Sequence, residues 1–326
     1  MILIYTNSED LTADYFILYL EQQHIPFFRF NTDQYPSLMD ITYLINSGEV
    51  NGYFRSPVGE VELSQITSVW YRKPVYQRYI YENSSLNQYI TMEIESSLEG
   101  VVRSLPANFV SHPKFIYHAE HKLVQLQKAI NIGFRVPDTI LTSVYDDGYA
   151  FLEKHEHSII KPVRRGRIIE GNTITMLYTT RISQTEFKQH RDSLNVGPAY
   201  MQKQISKQYD LRVTVFGNTC FCVAIHSQQH EETQLDWRRR QDVLKQTVFQ
   251  LPKYVSQKCI ELVKSLNLKF GAIDLILDTN GEYYFLEINP TGQWAWMEQS
   301  LDLPMREALY RTLEGHNENL ISMGNL

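Results

Sequence analysis

The stretch that decides the fold reads Gly271-Ala-Ile-Asp274-Leu-Ile-Leu-Asp278-Thr-Asn280-Gly281-Glu-Tyr-Tyr-Phe-Leu-Glu287-Ile-Asn289-Pro290. An Asn-Gly pair between two β-rich runs predicts a tight hairpin turn. If Asn280 and Gly281 form the whole loop, Asp274 faces Glu287 directly across the strands. Asn289 then lies on the same face, because side chains alternate along a strand. The sequence therefore predicts two opposed carboxylates with an amide beside them.

Two carboxylates in opposed positions repel each other and destabilise a sheet, so a positive charge is expected between them. Carboxylate and amide oxygens suit a hard cation that keeps several waters and binds substrate phosphates, which describes Mg²⁺ with ATP. The alternative is a solvated polar hairpin face, or one carboxyl with a raised pKa. Leu286 and Ile288 on one face, with Ile276 and Phe285 on the other, favour burial on both sides.

A second predicted hairpin begins at Asp210-Leu-Arg212-Val-Thr214, whose polar residues share one face. An arginine on such a face needs an anion. In an ATP site that anion is the terminal phosphate or an acyl phosphate, which the planar donors of Arg212 match well. Taken alone, an arginine such as Arg212 is more often an ordinary surface ion-pair partner.

Two lysines extend the candidate site. Lys161 ends an apolar strand just before residues 163–167, a loop with one glycine and three arginines that could close over a phosphate. Lys122 lies on a predicted amphipathic helix over His118–Ile130, with Gly133 at the position of a C-terminal cap. A single lysine on such a helix is usually solvated, so the assignment of Lys122 depends on the rest of the pattern.

The N-terminal region predicts a β-α-β unit, with strands at 1–6 and 26–30 around a helix at 10–23. It carries no GxGxxG, so a Rossmann dinucleotide site is unsupported and the unit serves as scaffold or substrate platform. Further helices are predicted near 88–103, 253–266 and 304–314.

Bulk composition excludes several classes. The chain has 326 residues, 43% apolar and 21% charged, which is ordinary globular usage and suits two or three lobes. A formal charge of -6 argues against general nucleic-acid binding, although a local basic patch can still meet one anion. With no signal-peptide pattern and no long apolar run, we expect a soluble cytoplasmic protein without a membrane partner. The three cysteines favour reduced core thiols over a disulfide framework or zinc site.

The order Lys122, Lys161, Asp-Leu-Arg212, Asp274 and Glu287-Ile-Asn289 resembles the ATP-grasp ligases. More closely, the chain resembles the graspetide (microviridin-type) peptide macrocyclases over roughly residues 1 to 305. The segments that carry this likeness are Ser68-Val-Trp70-Tyr-Arg72-Lys-Pro74, His226-Ser-Gln228, Asp236-Trp237-Arg238 and Phe285-Leu-Glu287-Ile-Asn289-Pro-Thr-Gly-Gln-Trp294-Ala-Trp296.

The resemblance implies an α/β, three-lobed ATP-grasp fold. Its lobes would be an N-terminal pre-ATP-grasp β-α-β domain at 1–110, a central lobe at 111–187 and a C-terminal lobe with the metal and phosphate site at 188–326. ATP and Mg²⁺ would activate an Asp or Glu side chain of a ribosomally made precursor peptide, with its leader and core. A Thr or Ser hydroxyl or a Lys amine of that peptide would then attack, giving a lactone or lactam.

By the same likeness, site roles fall on particular residues. Lys122 and Lys161 hold phosphates, and Arg212 steadies the transferring phosphoryl group. Arg238 orients the acceptor carboxylate, so the catalytic set is Arg212, Arg238 and Lys161. The nucleotide-binding set adds Asp210 and the adenine hinge, Gln202, Lys203, Gln204 and Ile205. The implied metal ligands are Asp274, Glu287 and Asn289.

Some alternatives stay open. Relatives commonly carry an acidic hinge residue where this chain has Lys203, which affects the nucleobase contacts. Trp294 and Trp296 fit core packing as well as a substrate-lining role. The runner-up function is an amino-acid or glutamate ligase of the same fold acting on a small molecule or protein tail. A third candidate is a nucleotide sensor that has lost catalysis. A homodimer is possible, and the sequence leaves ester against amide undecided.

Overall fold

The computed structural model describes residues 1–77, 84–164, 166–170 and 173–315. Arg165, one of the three arginines in the predicted loop, lies outside these ranges. Within these ranges the architecture is mixed α/β, as the sequence predicts, with five sheets. Over the described ranges, no helix has the length and apolar character needed to cross a membrane.

The N-terminal part opens with the predicted β-α-β unit and continues into two sheets. A parallel sheet has the order β2-β1-β6-β7, and an antiparallel sheet has the order β3-β4-β5. The elements are β1 (Ile2–Thr6), α1 (Leu11–Gln22), β2 (Phe27–Asn31), β3 (Asp40–Asn46), β4 (Glu49–Ser56), β5 (Gly59–Glu62), β6 (Ser68–Tyr71), α2 (Ser84–Ser104) and β7 (Asn108–Phe109).

The middle of the chain forms an antiparallel sheet of order β12-β9-β13-β8 with a separate hairpin, β10-β11. The elements are α3 (Pro113–Ala119), α4 (Lys122–Ile132), β8 (Thr139–Thr142), α5 (Tyr145–Lys154), β9 (Ser158–Ile160), β10 (Arg167–Glu170), β11 (Thr173–Met176), β12 (Thr180–Arg181), α6 (Gln184–Gln189) and β13 (Ala199–Lys203).

The C-terminal part is a five-stranded antiparallel sheet of order β16-β15-β14-β17-β18, flanked by helices. The elements are β14 (Lys207–Phe216), β15 (Thr219–Ile225), β16 (Gln246–Val248), α7 (Lys253–Ser265), β17 (Phe270–Asp278), β18 (Tyr283–Asn289), α8 (Ala295–Leu301) and α9 (Met305–Glu314).

The single helix predicted over His118–Ile130 is wrong, because the structure has two helices here. The chain breaks at Glu120 and His121, between α3 and α4, and Lys122 becomes the first residue of α4. The predicted C-terminal cap is confirmed, since Gly133 has a φ of 88° in the left-handed region.

The turn at Asn280-Gly281 differs from the prediction, although the pairing of Asp274 with Glu287 is as predicted. Asp278 donates its backbone N–H to the carbonyl of Glu282, so the loop has three residues and Gly281 takes a φ of 83°. The register shifts by one residue between Asp274 and Leu275, a β-bulge that restores the expected partner.

A continuous apolar core joins the N-terminal and C-terminal parts of the chain. Trp294 is fully buried within it, and its ring lies 5.6 Å from Phe216 and 6.5 Å from Trp70, centroid to centroid. Trp294 is therefore a packing residue that fixes the segment after β18 against the N-terminal sheet. Burial of so large a side chain contributes about 1.5–3 kcal/mol or more to that contact.

Candidate active site

The floor of the candidate site is the central trio of strands in the C-terminal sheet. Arg212 on β14 pairs with Asp274 on β17, which pairs in turn with Glu287 on β18. Three charged side chains are thus aligned across adjacent strands at one level of the sheet. The alternation of polar and apolar residues along β14 sends Asp210 and Thr214 to the same face as Arg212.

Each floor carboxylate already has a cationic partner. Arg212 Nη1 lies 2.8 Å from Asp274 Oδ1, and Lys122 Nζ lies 2.9 Å from Glu287 Oε2. Arg238 Nη1 is 3.7 Å from the other oxygen of Glu287. The positive charge that the sequence places between the two acids is supplied by protein side chains in this state. Arg212 is therefore a buried ion-pair partner, with 9% of its side chain exposed, and not a surface one.

The two acids titrate in opposite directions. Burial raises the pKa of Asp274 and the nearby Glu287 carboxylate adds to this, while Arg212 opposes it. Burial also raises the pKa of Glu287, but Lys122, Lys161 and Arg238 outweigh that cost and bring it to about 2. Glu287 is therefore ionised throughout the physiological range.

Lys161 and Lys122 converge on one wall of the cleft. Lys122 Nζ donates to the carbonyl of Pro162 at 3.1 Å, which ties the start of α4 to the chain just after β9. Lys161 Nζ sits 5.6 Å from the centroid of the Tyr200 ring. Burial lowers the pKa of Lys161 to about 8, although Glu287 counteracts the shift. A phosphate bound beside Lys161 would favour the charged form of this amine and so offset the effect of burial.

Arg238 is held by Asp236 in a two-point ion pair. Its Nε and Nη2 lie 2.9 Å from the two Asp236 oxygens, and the backbone N–H of Arg238 donates to Oδ1 at 3.1 Å. Thr179, from the strand-connecting segment opposite, donates its N–H to Asp236 Oδ2 at 3.1 Å. With 46% of its side chain exposed, Arg238 keeps donors that face the open cleft.

A buried polar network supports the segment that carries Asp236. Lys207 Nζ lies 2.7 Å from Asp210 Oδ2, and the same Asp210 oxygen accepts a 2.5 Å hydrogen bond from Ser227 Oγ. Lys207 also donates to the carbonyl of Leu235 at 3.4 Å. Asp210 thus anchors the cleft wall through side chains, and the His226-Ser-Gln228 motif supplies one of them.

The predicted hinge lies on β13 and in the residues that follow it. Gln202 is fully buried and donates to Thr139 Oγ1 at 2.8 Å. Gln204 donates its backbone N–H to His157 and accepts from Arg181 Nε through its side chain. Lys203 is exposed.

The structure brings most of the sequence-predicted residues into one cleft of about 1020 Å³, including the space open to solvent. Of the predicted set, the lining residues are Lys122, Lys161, Gln202, Lys203, Ile205, Asp210, Arg238, Asp274 and Glu287. Gln204, Arg212 and Asn289 do not line it. Arg212 reaches it through Asp274, and Asn289 lies two residue pairs beyond the Asp274–Glu287 pair, opposite Ala272.

Sequence reasoning included Asp236 in a recognised motif but gave it no role, and it missed the supporting residues Lys207 and Thr179. The Asp-x-Arg spacing signals the pairing of Asp236 with Arg238, because two residues on one turn can reach each other. Lys207 and Thr179 carry no comparable local signal. Trp296 is half-buried, and its ring lies 6.3 Å from that of Trp237 in the cleft wall.

The donor set fits Mg²⁺. In the ranges that the structure describes, no group of three or more His, Cys, Asp or Glu side chains could hold a metal. The set is instead two carboxylates on one face, with the amide of Asn289 two residue pairs away along the same strands. Asp274 has one oxygen paired with Arg212, and Glu287 has Lys122 at one oxygen and Arg238 at 3.7 Å from the other. Oxygen donors with an ionised Glu287 are what Mg²⁺ prefers, and incoming phosphates offer the neighbouring cations another anion.

Comparisons with known proteins agree with this geometry. Residues 1–115 match the family described as MvdD pre-ATP grasp domain. A Chryseobacterium gregarium RiPP-associated ATP-grasp ligase, in complex with ADP and a leader and core peptide, is 26% identical, with a TM-score of 0.89 over 98% of this chain and 99% of that chain. The macrocyclase MdnC from Microcystis aeruginosa MRC, bound with precursor peptide MdnA, is 27% identical, with a TM-score of 0.86 over 97% and 99%.

A more distant structure shares the fold alone. D-alanyl-alanine synthetase A from Vibrio cholerae is 10% identical, with a TM-score of 0.60 over 98% of both chains. The search of curated proteins gave no match. Fold and site together define an ATP-grasp ligase, an ATP-dependent enzyme. Within that class, the chain is similar in motif and fold to solved peptide macrocyclases of this type, in line with the graspetide resemblance of its sequence.

Proposed function

We propose that this enzyme uses ATP and Mg²⁺ to activate Asp or Glu side chains of a ribosomally made precursor peptide, and joins them to Thr or Ser hydroxyls or Lys amines of the same peptide. The observation that carries the proposal is the convergence of Lys122, Lys161, Arg212 and Arg238 on the two floor carboxylates of one cleft. Four cations around two acids leave net positive charge for phosphates and a substrate carboxylate.

The phosphates of ATP would lie against the wall formed by Lys122 and Lys161. Both amines are largely shielded from water, so their attraction to a phosphate is stronger than on an open surface. Asp274, Glu287 and Asn289 would hold Mg²⁺, which neutralises charge on the phosphate oxygens when it is bound. The hinge of Gln202, Lys203, Gln204 and Ile205 would hold the adenine, and Asp210 would keep the adjoining wall in place.

Arg212 and Arg238 would act on the reacting groups. Arg212 is buried and fixed by Asp274, so its planar donors are already oriented for the transferring phosphoryl group. Arg238 is fixed on one edge by Asp236 and open on the other, which suits a carboxylate delivered by the peptide. Both arginines are pre-organised and lose little freedom when the substrate arrives.

The reaction balances in two steps. A carboxylate oxygen of the peptide attacks the γ-phosphorus of ATP, the bond to the bridging β,γ-oxygen breaks, and ADP leaves. The hydroxyl or amine of a second side chain then attacks the acyl carbon, phosphate leaves, and the proton of the nucleophile passes to solvent. Each ring closure removes one water from the peptide and consumes one ATP.

The test is to incubate the enzyme with ATP, Mg²⁺ and a precursor peptide encoded beside it, and to follow peptide mass. Successive losses of water, each matched by one ADP, support the proposal. Ligation of free amino acids without peptide dehydration would instead establish the small-molecule or protein-tail ligase. Nucleotide binding with neither activity would establish a sensor. Hydroxylamine trapping of the activated carboxylate, followed by fragmentation, identifies the acceptor residue. Mild alkaline hydrolysis of the product, which opens esters and spares amides, distinguishes the two linkages.

The cellular location, the lobe boundaries and the subunit count are part of the same proposal. We place the enzyme in the cytoplasm, where ATP and newly made precursor meet. The lobes are proposed at 1–110, 111–187 and 188–326, and pairing of two chains into a homodimer is also proposed. Sedimentation of the purified protein with and without precursor tests the subunit count.

A further inference from the structure

Arg72 is a deeply buried cation in the N-terminal part of the chain, with 2% of its surface exposed. It follows β6 and reaches across to the segment after β18. Its Nη1 donates to the carbonyls of Thr291 at 2.7 Å and Gly292 at 3.0 Å, and its Nη2 donates to Gln293 Oε1 at 2.8 Å. Asp10, fully buried beside it, supplies the counter-charge at 3.1 Å.

A contribution to stability alone does not explain the buried contacts of Arg72. A buried ion pair recovers its desolvation cost only with good geometry and added hydrogen bonds, and well-packed apolar residues often stabilise as much. The apolar core around Trp70, Phe216 and Trp294 already joins these two parts of the chain, independently of any charge. What Arg72 adds is fixed positions for two backbone carbonyls in a segment that is neither strand nor helix.

That segment touches the proposed catalytic machinery at two points. Arg212 Nη2 donates to the carbonyl of Gln293 at 3.3 Å. Asn289 Oδ1 accepts the backbone N–H of Thr291 at 3.0 Å. The packing is close, because a Cβ added at Gly292 would lie 3.0 Å from Arg212 Nη2. The 291–293 segment therefore links Arg72, through hydrogen bonds, to the proposed phosphoryl-binding residue Arg212 and to the proposed metal ligand Asn289.

We propose that Arg72, with Asp10, is a positioning residue that sets Asn289 and Arg212 for Mg²⁺-nucleotide binding. The proposal rests on the proposed function of the site. The quantity that tests this role is the gain in ADP affinity that Mg²⁺ provides. Displacement of the 291–293 segment would move a metal ligand and would leave the adenine hinge in place. A residue that only stabilised the fold would not change that gain selectively.

The experiment measures ADP binding by calorimetry, with Mg²⁺ and with EDTA, for the wild type and Arg72→Lys. Lysine keeps the charge beside Asp10 but cannot bridge three acceptors. Supporting residues around a metal typically change its affinity by about 10- to 100-fold. We expect ADP affinity to fall by about tenfold or more with Mg²⁺ and to stay within twofold in EDTA.

Arg306→Lys is the matched control. Arg306 also pairs with a buried carboxylate, its Nε lying 2.8 Å from Glu298 Oε1, and also contacts the N-terminal part through the Tyr15 ring at 4.3 Å. It does not contact the 291–293 segment through any of these groups. We expect Arg306→Lys to lower the melting temperature without changing the Mg²⁺ dependence of ADP binding.

Equal losses in Arg72→Lys and Arg306→Lys, or a loss in EDTA as large as that with Mg²⁺, would overturn the positioning role. If Arg72→Lys does not fold, Gln293→Ala decides, because it removes one of the three acceptors without stranding a buried charge. Wild-type affinity in that variant would also overturn the role. A wild type that binds Mg·ADP but never dehydrates a precursor refutes the proposed function alone. If the ADP affinity of the wild type is the same with Mg²⁺ and with EDTA, both the proposed function and the positioning role are refuted.

Discussion

Replacement of Glu287 by glutamine tests the electrostatics of the site floor. The pKa of Glu287 falls from 4.5 to about 2 because three cations outweigh the cost of burial. At about 1.4 kcal/mol for each pH unit, this corresponds to about 3 kcal/mol of stability at neutral pH. With 21% of the side chain exposed, Glu287 is sufficiently shielded for solvent screening to leave most of that energy.

The sign follows from linkage. A carboxyl whose pKa is lower in the folded protein stabilises it above the unfolded pKa, and this contribution is lost as pH falls toward the folded pKa. The difference in unfolding free energy between wild type and Glu287→Gln should therefore be about 3 kcal/mol at pH 7. It should shrink to roughly half by pH 3.

Urea unfolding of both proteins, followed by tryptophan fluorescence from pH 3 to pH 8, provides the measurement. Most other titrating groups are common to the two proteins and cancel in the difference, except Asp274 and Lys161, whose pKa values also respond to the Glu287 charge. A difference that stays constant over this range would refute the reasoning, because the lost interaction would then not depend on the Glu287 charge. Independently, Glu287→Gln should abolish turnover, since it removes a proposed Mg²⁺ ligand.

Three further changes probe neighbouring parts of the site. Asp274→Asn should abolish dehydration of the precursor while circular dichroism stays native, and full activity would discredit the metal assignment. Because burial lowers the pKa of Lys161 to about 8, its charge is lost as pH rises past that value, so KM for ATP should rise between pH 8 and 9. Lys161→Arg, which stays charged, should lose this pH dependence, and an unchanged profile would argue against a phosphate contact. Gly292→Ala places a Cβ 2.4 Å from that of Ala272, and should cost about 1–3 kcal/mol in urea unfolding and lower kcat; wild-type values would contradict the packing.

Much of the fold was predictable because its elements depend on local patterns. Alternating residues around Asp274 and Glu287 define two strands, and helical spacing defines α7 and α9. The predicted pairing of these acids is also correct, although the three-residue turn and the bulge were not foreseen. The extra residue in the loop shifts the strand register by one, and the one-residue bulge shifts it back. The Asn280-Gly281 signal is the same for that combination as for a tight turn.

Within the site, contacts between residues far apart in the chain could not be predicted from local patterns. The roles of Lys122, Lys161 and Arg238 stay predictions, yet their approach to Glu287 is visible only in the folded chain. The sequence suggested a metal to balance the acids, whereas the structure shows protein cations there as well. Charge balance alone does not reveal which positive group supplies it.

The sequence by itself determined the helices, the strands and the strand faces that carry charge, because alternation, helical spacing and turn residues act over a few neighbours. Its resemblance to the graspetide macrocyclases implied the class of fold. The tertiary structure alone decided which cation meets which carboxylate. It also placed Arg72 on carbonyls up to 220 residues away. Such contacts depend on how distant parts of the chain pack around a shared apolar core, and no local pattern contains that information.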